Sequence, residues 1–262
     1  MGVSVLGIST YKKSEKIEKI EQNSRTIRAA AQKYFAMAEN QRNSFQYKES
    51  VENYLTSILI DRNNVVSYKG AALSYKNLKN YDKAIEFLKK AEKIAPDDAS
   101  IKKELAMCNI ILGNFCNGIG YLIMAIGIEP DNLDIQMQLA LVHEMIDEEE
   151  MALKIYQKII ETDETYIRAY IQKATLYMHL NDYVKSALTF KKVIELKPDY
   201  YRAFLALGIC YEKLANISAA KRYYKKYLEK NPLAKDYFDI KHRLSEIPSV
   251  KKDNNGLRIV HI

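Results

Sequence analysis

The side chains best able to do chemistry in this chain are its histidines and one acidic run. The histidines are scattered along the sequence: His143, His179, His242 and His261. None has a second ligand at helical spacing or a cysteine partner, so the sequence predicts no metal site. His143 is expected to fill a core position. The run from Asp147 to Glu150 lacks the glycine and the alternating oxygen ligands of a calcium loop, which favours a solvated turn.

The three cysteines form no C-x-x-C pair, which argues against both a disulfide framework and a zinc site. Cys108 and Cys210 lie in apolar helical stretches and are expected to be buried, in a protein of a reducing compartment. The sequence also contains no glycine-rich phosphate loop, no G-x-S-x-G elbow and no H-E-x-x-H motif. It therefore predicts no catalytic activity and no cofactor.

One basic segment carries aromatic residues between its charges. The basic residues are Lys221, Arg222, Lys225 and Lys226, and the tyrosines are Tyr223, Tyr224 and Tyr227. This pattern allows nucleic-acid or anionic-surface binding as a minor alternative, with the rings stacking on bases. A solvated basic face with packed tyrosines is the favoured interpretation.

The net charge of +7 suits acidic partners but does not choose among them. No stretch approaches the roughly 20 apolar residues that a membrane span needs. The first basic residues, Lys12 and Lys13, follow the apolar start instead of preceding it, and Leu6 stands where a myristoylation motif needs Ser or Thr. A cytoplasmic location is expected.

Most of the residues named above belong to a sequence pattern that repeats every 34 residues. Pro96, Pro130, Pro198 and Pro232 lie 34, 68 and 34 residues apart, and Glu164 fills the missing place. The same spacing connects small residues, namely Ala38, Ala72, Ala106, Ala140, Ala174 and Gly208. A fixed period of this length predicts a stack of small repeats with similar structures.

Each repeat is expected to form two short amphipathic helices joined by a tight turn, because its apolar residues recur at i, i+3, i+4 and i+7. In the second repeat the pattern predicts helices over 66–78 and 82–94, with Asp82 capping the second helix. The small residues Ala72 and Ala84 let the two helices approach closely, and Pro96 ends the pair.

The most complete copy contains Phe204, Leu207-Gly208, Tyr211, Ala220, Tyr224 and Pro232. This pattern resembles the tetratricopeptide repeat (TPR) family, with repeats at 31–64, 65–98, 99–132, 133–166, 167–200 and 201–234. The resemblance implies an all-α, right-handed superhelix of helix-turn-helix repeats that binds proteins. A partly helical N-terminal extension (1–30), a capping helix (235–247) and a flexible tail (248–262) complete the expected organisation.

The resemblance also implies that positions 2, 5, 9, 12 and 13 of each repeat line a concave groove. The candidate partner-binding residues are Phe35, Val66, Lys69, Leu73, Lys103, Met107, Ile110, Met137, Leu141, Met145, Arg168, Ile171, Met178, Arg202, Leu205 and Ile209. Exposed apolar strips usually mark binding surfaces, and methionines adapt to varied partners. The expected function is that of an adaptor or scaffold that holds an apolar or amphipathic segment of a partner protein.

Three arrangements of this surface remain open at the sequence level. The middle repeats could grip a helical segment of a partner, neighbouring repeats could cover the apolar side chains, or the chain's own termini could fill the groove. The last arrangement would make the chain a self-assembling scaffold and a homo-oligomer. An Hsp70/Hsp90-type carboxylate clamp is not expected, because the fifth and ninth positions hold neither Asn nor a Lys/Arg pair.

Overall fold

The computed structural model describes residues 4–247, 249–253 and 256–260, with side chains described at Gln22 and from Ser24 to Ile247. Over these residues the chain is α-helical apart from a short hairpin near its end. The helices are α1 (Ser4–Asn43), α2 (Tyr47–Ile60), α3 (Val65–Asn77), α4 (Tyr81–Ile94), α5 (Ala99–Ile111), α6 (Phe115–Ile128), α7 (Leu133–Met145), α8 (Glu149–Thr162), α9 (Ile167–His179), α10 (Tyr183–Leu196), α11 (Tyr201–Lys213), α12 (Ile217–Lys230) and α13 (Tyr237–Glu246).

The helices form two compact units that divide between Ile135 and Gln136, within α7. In the first unit, helices α1 to α6 pack in sequence order, each against the next. In the second unit, helices α8 to α13 do the same. Each unit is thus built from neighbours in the chain, as expected for repeats that bury their apolar faces by stacking.

Small residues lie where the two helices of a repeat meet. At the eighth position of each repeat, the residues predicted to be small are all buried: Ala38, Ala72, Ala106, Ala140, Ala174 and Gly208. The twentieth position is small and buried in every repeat as well: Ser50, Ala84, Gly118, Ala152, Ser186 and Ala220. Short side chains on both helices allow the close approach, and larger apolar residues fill the space beside them.

The turn inside each repeat has the same backbone conformation. The fifteenth residue of the repeat has a positive φ, between 55° and 79°, at Phe45, Lys79, Gly113, Asp147, Asn181 and Ala215. After Lys79, for example, the amide of Asn80 donates to the carbonyl of Tyr75 at 2.9 Å, which closes a left-handed helix cap. This cap reverses the chain without an inserted loop.

The residue after this cap begins the second helix of the repeat. The side chain of Asn80 accepts a hydrogen bond from the amide of Lys83, so Asn80 caps α4. The prediction that Asp82 caps this helix was therefore wrong; Asp82 lies in the first turn, where its charge favours the helix dipole. Asp182 and Asn216 cap α10 and α12 in the same way as Asn80.

The two ends of the chain differ from a simple extension and tail. Helix α1 continues without a break from the predicted N-terminal extension into the first repeat. Instead of a flexible tail, strands β1 (Ser249–Asp253) and β2 (Gly256–Val260) pair antiparallel, with Ser249 opposite Val260. Among the described residues, no helix has the length and apolar character needed to cross a membrane.

Candidate partner-binding surfaces

In the first unit, the candidate residues lie on helices α1, α3 and α5. Val66 is 50% exposed, while Phe35, Leu73 and Met107 are partly buried. The ring of Phe35 packs 6.0 Å from that of Tyr54. These side chains present moderate apolar area, and part of it already serves the packing of the unit.

The cations of this surface are partly engaged within the chain. The ammonium of Lys69 lies 2.9 Å from a carboxylate oxygen of Asp98 and also contacts the hydroxyl of Ser100. Two helical turns further along α3, Lys76 pairs with Glu104 at 2.5 Å. A partner that used Lys69 would have to displace Asp98.

Two predicted groove residues are buried and leave the candidate surface. Ile110 is 6% exposed and packs on Gly118, where an added Cβ would lie 2.5 Å from the Ile110 Cγ1 atom. Met137 is 1% exposed. The family pattern assigns the same positions to every repeat, but the burial of a side chain depends on its local neighbours, and these two side chains are taken up by the packing of the protein.

The second unit brings four predicted residues together in one pocket of about 540 Å³. Met178 of α9 and Arg202, Leu205 and Ile209 of α11 line it, together with the loop that links α12 to α13 (residues 231–236). We call this site the α11 pocket. Leu205 and Ile209 lie one turn apart on the same face of their helix, and the exposed Arg202 stands at the rim.

The loop side of the α11 pocket was missed at the sequence level. Leu233 on this loop is 93% exposed, and Tyr227 forms part of the wall. The Tyr227 hydroxyl donates a 2.6 Å hydrogen bond to Asp236, which holds the loop against α12. Burial and this bond to a carboxylate raise the pKa of Tyr227 to about 12, so the hydroxyl remains a donor at neutral pH.

The remaining candidates of the second unit lie on α7 and α9. Met145 is 60% exposed and Arg168 is exposed, whereas Leu141 and Ile171 are partly buried. Met145 is thus the most accessible apolar side chain of this set. These residues add apolar area outside the α11 pocket, but they do not form its walls.

The basic face of α12 does not offer aromatic stacking. Tyr223, Tyr224 and Tyr227 are all buried, as the packed interpretation expected. The guanidinium of Arg222 lies over the Tyr223 ring, 5.0 Å from its centre. Without exposed rings, the nucleic-acid alternative loses the contact that would distinguish it from general attraction between charges.

The residues singled out for metal or thiol chemistry take structural roles in the described chain. His143 is buried, and its Nδ1 atom lies 2.6 Å from a carboxylate oxygen of Glu148. Cys108 and Cys210 are buried, which confirms that prediction, and Cys116 is exposed. His261 lies outside the described residues.

Family models of the tetratricopeptide repeat match residues 68–98, 167–200 and 202–234. The chain contains tetratricopeptide repeats. The matched segments coincide with the second, fifth and sixth predicted repeats, and they include the α9 and α11 residues of the α11 pocket. No curated protein matches this TPR chain in sequence.

Solved structures support the same fold. The C-terminal part of a TPR repeat-containing protein from Cytophaga hutchinsonii shares 21% identity, with a TM-score of 0.71 over 81% of this chain and 85% of that one. PilW, a type IV pilus biogenesis factor, shares 17% identity, with a TM-score of 0.63 over 80% of this chain and 97% of that one. YrrB, a TPR protein with an unusual peptide-binding site, shares 18% identity, with a TM-score of 0.56 over 73% and 99%.

Proposed function

We propose that this chain is a non-catalytic adaptor that binds an apolar or amphipathic segment of a partner protein, with the α11 pocket as a principal contact. TPR repeats serve as scaffolds for protein interaction, which supports the general class of function. The observation that carries the specific proposal is the α11 pocket itself. It places Met178, Leu205 and Ile209 around one depression with a cation at its rim.

The chemistry of the α11 pocket sets the character of the segment. Its apolar walls suit one or two large aliphatic or aromatic side chains. Arg202 at the rim is placed to pair with an acidic residue next to them. An amphipathic helix meets both requirements, because residues three or four apart lie on one face.

The pocket alone does not provide tight binding. Completing the burial of three partly exposed aliphatic side chains contributes on the order of 4 kcal/mol, which corresponds to a Kd of about 1 mM. A functional partner therefore needs additional contacts. The exposed Met145 on α7 offers further apolar area within the same unit.

Selection of a displayed library of amphipathic helical peptides against the full chain tests the proposal. The affinity of the selected peptides would be measured by fluorescence anisotropy with the wild type and with Leu205→Glu/Ile209→Glu. We expect at least a tenfold loss, because two carboxylates would be buried against apolar groups. Leu188→Glu is the matched control, since Leu188 is 61% exposed on α10 and does not line the pocket.

Arg202→Glu provides a second variant that disturbs no core packing, because Arg202 is exposed. It should weaken peptides with an acidic residue and leave the thermal unfolding midpoint unchanged. Peptides that bind the Leu205→Glu/Ile209→Glu protein as tightly as the wild type would contradict the α11 pocket as the site.

A further inference from the structure

A buried tyrosine recurs at the twenty-fourth position of three repeats and always lies beside a glutamate. Tyr54, Tyr156 and Tyr224 are each 0% exposed. Their glutamate neighbours are Glu39, Glu144 and Glu212, each on the first helix of the same repeat. The other three repeats have the apolar residues Leu88, Leu122 and Phe190 at this position and no glutamate on the facing turn. The tyrosine and the glutamate therefore occur as a pair.

At both ends of the repeat array, the chain completes this pair with an arginine. In the last repeat the Tyr224 hydroxyl donates to Glu212 at 2.6 Å, and Arg243 of α13 donates to both carboxylate oxygens at 2.9 and 3.0 Å. In the first repeat, Tyr54 donates to Glu39.

Arg42 completes the first-repeat cluster. Its guanidinium donates to the two Glu39 oxygens at 3.3 and 2.6 Å. Its Nε also lies 3.3 Å from the Tyr54 hydroxyl. The same chemical arrangement, tyrosine to carboxylate to guanidinium, is thus reached with arginines from different places in the chain.

The fourth repeat has the tyrosine and the glutamate without the arginine. Arg243 follows Glu212 by 31 residues, and the residue 31 positions after Glu144 is Thr175 of α9. The Thr175 hydroxyl donates to the carbonyl of Ile171 within its own helix at 2.9 Å. Within the part of the chain that the structure describes, Glu144 Oε1 and the Tyr156 hydroxyl are buried, and the two side chains interact without a hydrogen bond of ordinary length.

We propose that Glu144 and Tyr156, with Thr175 at the position equivalent to Arg243, form a receptor for an arginine side chain of a bound partner segment. The guanidinium would take the place that Arg243 occupies in the last repeat, donating two parallel hydrogen bonds to the Glu144 carboxylate. Lysine fits less well, because its point charge cannot reproduce this bidentate geometry. This inference rests on the proposed function, since it specifies one residue of the segment that the adaptor holds.

The electrostatics of the fourth repeat agree with this assignment. Burial raises the pKa of Glu144, and neither the nearby Tyr156 hydroxyl nor His179 reverses that shift. In the completed clusters, arginine and tyrosine hydrogen bonds outweigh burial and lower the pKa of Glu39 and of Glu212. A guanidinium placed at Glu144 would relieve the same cost of burying a carboxylate. His179 also lies near Glu144.

Titration of the full chain with N-acetyl-L-arginine methylamide tests the receptor directly, followed by NMR of the Met145 methyl group beside Glu144. The citrulline analogue is the matched neutral probe. We expect the arginine amide to bind at least about fivefold more tightly than the citrulline amide. The preference should disappear in Glu144→Gln and persist in the control Glu150→Gln, which removes an exposed carboxylate from the same repeat. Equal affinity of the two amides, no shift with either, or a preference that survives Glu144→Gln would overturn the proposal.

A gain-of-function variant gives an independent readout. Thr175→Arg places an arginine at the position equivalent to Arg243, so it should raise the thermal unfolding midpoint and abolish binding of the arginine amide. Thr189→Arg is the control, because Thr189 is a partly buried threonine with the same intrahelical hydrogen bond. A Thr175→Arg protein that still binds the arginine amide with wild-type affinity would argue against the site.

Failure of this inference is distinguishable from failure of the proposed function. Selected peptides could bind the α11 pocket and yet lose the same affinity on arginine-to-citrulline replacement with the wild type and with Glu144→Gln. That result would support the adaptor function and contradict the arginine receptor. If no peptide is selected, the adaptor function fails, while the arginine amide still tests the receptor.

Discussion

Gly208 of α11 lies directly against the ring of Tyr224 of α12: a methyl group added at Gly208 would lie 2.5 Å from the Tyr224 Cδ1 atom. The ring is fully buried and its hydroxyl is fixed on Glu212, so it cannot move aside. Gly208→Ala should therefore lower the free energy of unfolding by about 1–3 kcal/mol, measured by urea denaturation.

The matched control is Gly120→Ala in α6, where an added methyl group meets nothing within 4 Å. This change should stabilise the protein by about 0.5–1 kcal/mol, because alanine favours a helix interior over glycine. If both variants shift stability in the same direction, the close contact with Tyr224 is not what requires glycine at position 208.

The left-handed turns predict a second glycine effect. Gly113 has a φ of 79° between α5 and α6, and an added methyl group there meets no neighbouring atom. Gly113→Ala should still destabilise the protein by about 1 kcal/mol, because the backbone conformation is unfavourable for a residue with a Cβ. Comparing the thermal unfolding of Gly113→Ala with that of Gly120→Ala isolates this effect. An added methyl group has free space at both positions, but only Gly113 has a positive φ. Equal stability changes in the two variants would contradict it.

Much of the helical architecture could be predicted from the sequence, because the 34-residue spacing is a local signal. Small residues at fixed positions, such as Ala72 and Ala84, followed from the need for close helix approach, and both are buried. The left-handed cap was not predicted. Asn181 and Gly113 at the fifteenth position are typical of it, but Phe45 and Lys79 at the same position concealed the pattern.

The candidate surface was less predictable, because exposure depends on contacts between distant residues. Lys69 carries no sequence signal that it pairs with Asp98, 29 residues away. Leu233 lies on a loop that lines the α11 pocket. The predicted groove positions all lie on the first helix of each repeat, so they do not include this loop. The Tyr–Glu pairs could have been found, since Tyr156 and Tyr224 each follow a glutamate by 12 residues.

The cysteines should divide into one fast and two slow thiols when titrated with a chromogenic disulfide at pH 8. Cys116 is exposed and should react first, whereas Cys108 and Cys210 are buried. Burial raises the pKa of Cys108 to about 11, so its thiolate fraction at pH 8 is only about one in a thousand. Cys116→Ser should remove the fast phase alone; three equal rates in the folded wild type would contradict the burial of the other two.

Removal of the C-terminal hairpin should leave the association state unchanged. Strands β1 and β2 pair with each other from Ser249 opposite Val260 to Asp253 opposite Gly256, so their facing backbone groups are already hydrogen-bonded. Light scattering of the full chain beside a version that ends at Glu246 measures this. An oligomer that becomes a monomer on truncation would instead support self-assembly through the chain's own terminus.

The Glu212–Arg243 ion pair should make stability depend on acid pH. Burial alone would raise the pKa of Glu212, but hydrogen bonds from Arg243 and Tyr224 outweigh it and hold the pKa below its ordinary value. A carboxyl whose pKa is lower in the folded state stabilises the protein above its unfolded pKa, and this contribution is lost as pH falls through the folded pKa. Arg243→Ala should therefore lower the free energy of unfolding by about 1 kcal/mol at pH 7 and by progressively less below about pH 4. Urea denaturation at each pH measures this difference.

The control for this pH dependence is Lys192→Ala, which removes an exposed ion pair with Glu195. Exposed pairs contribute about 0–1 kcal/mol and are screened by salt, so this variant should differ little from wild type at either pH. A difference between wild type and Arg243→Ala that stays constant from pH 7 to pH 3 would mean that Arg243 acts by packing on Tyr224, 6.0 Å from its ring centre, and not through the charge of Glu212. That result would also weaken the arginine receptor proposed at Glu144, because the proposed geometry of the receptor is that of the Glu212–Arg243 pair.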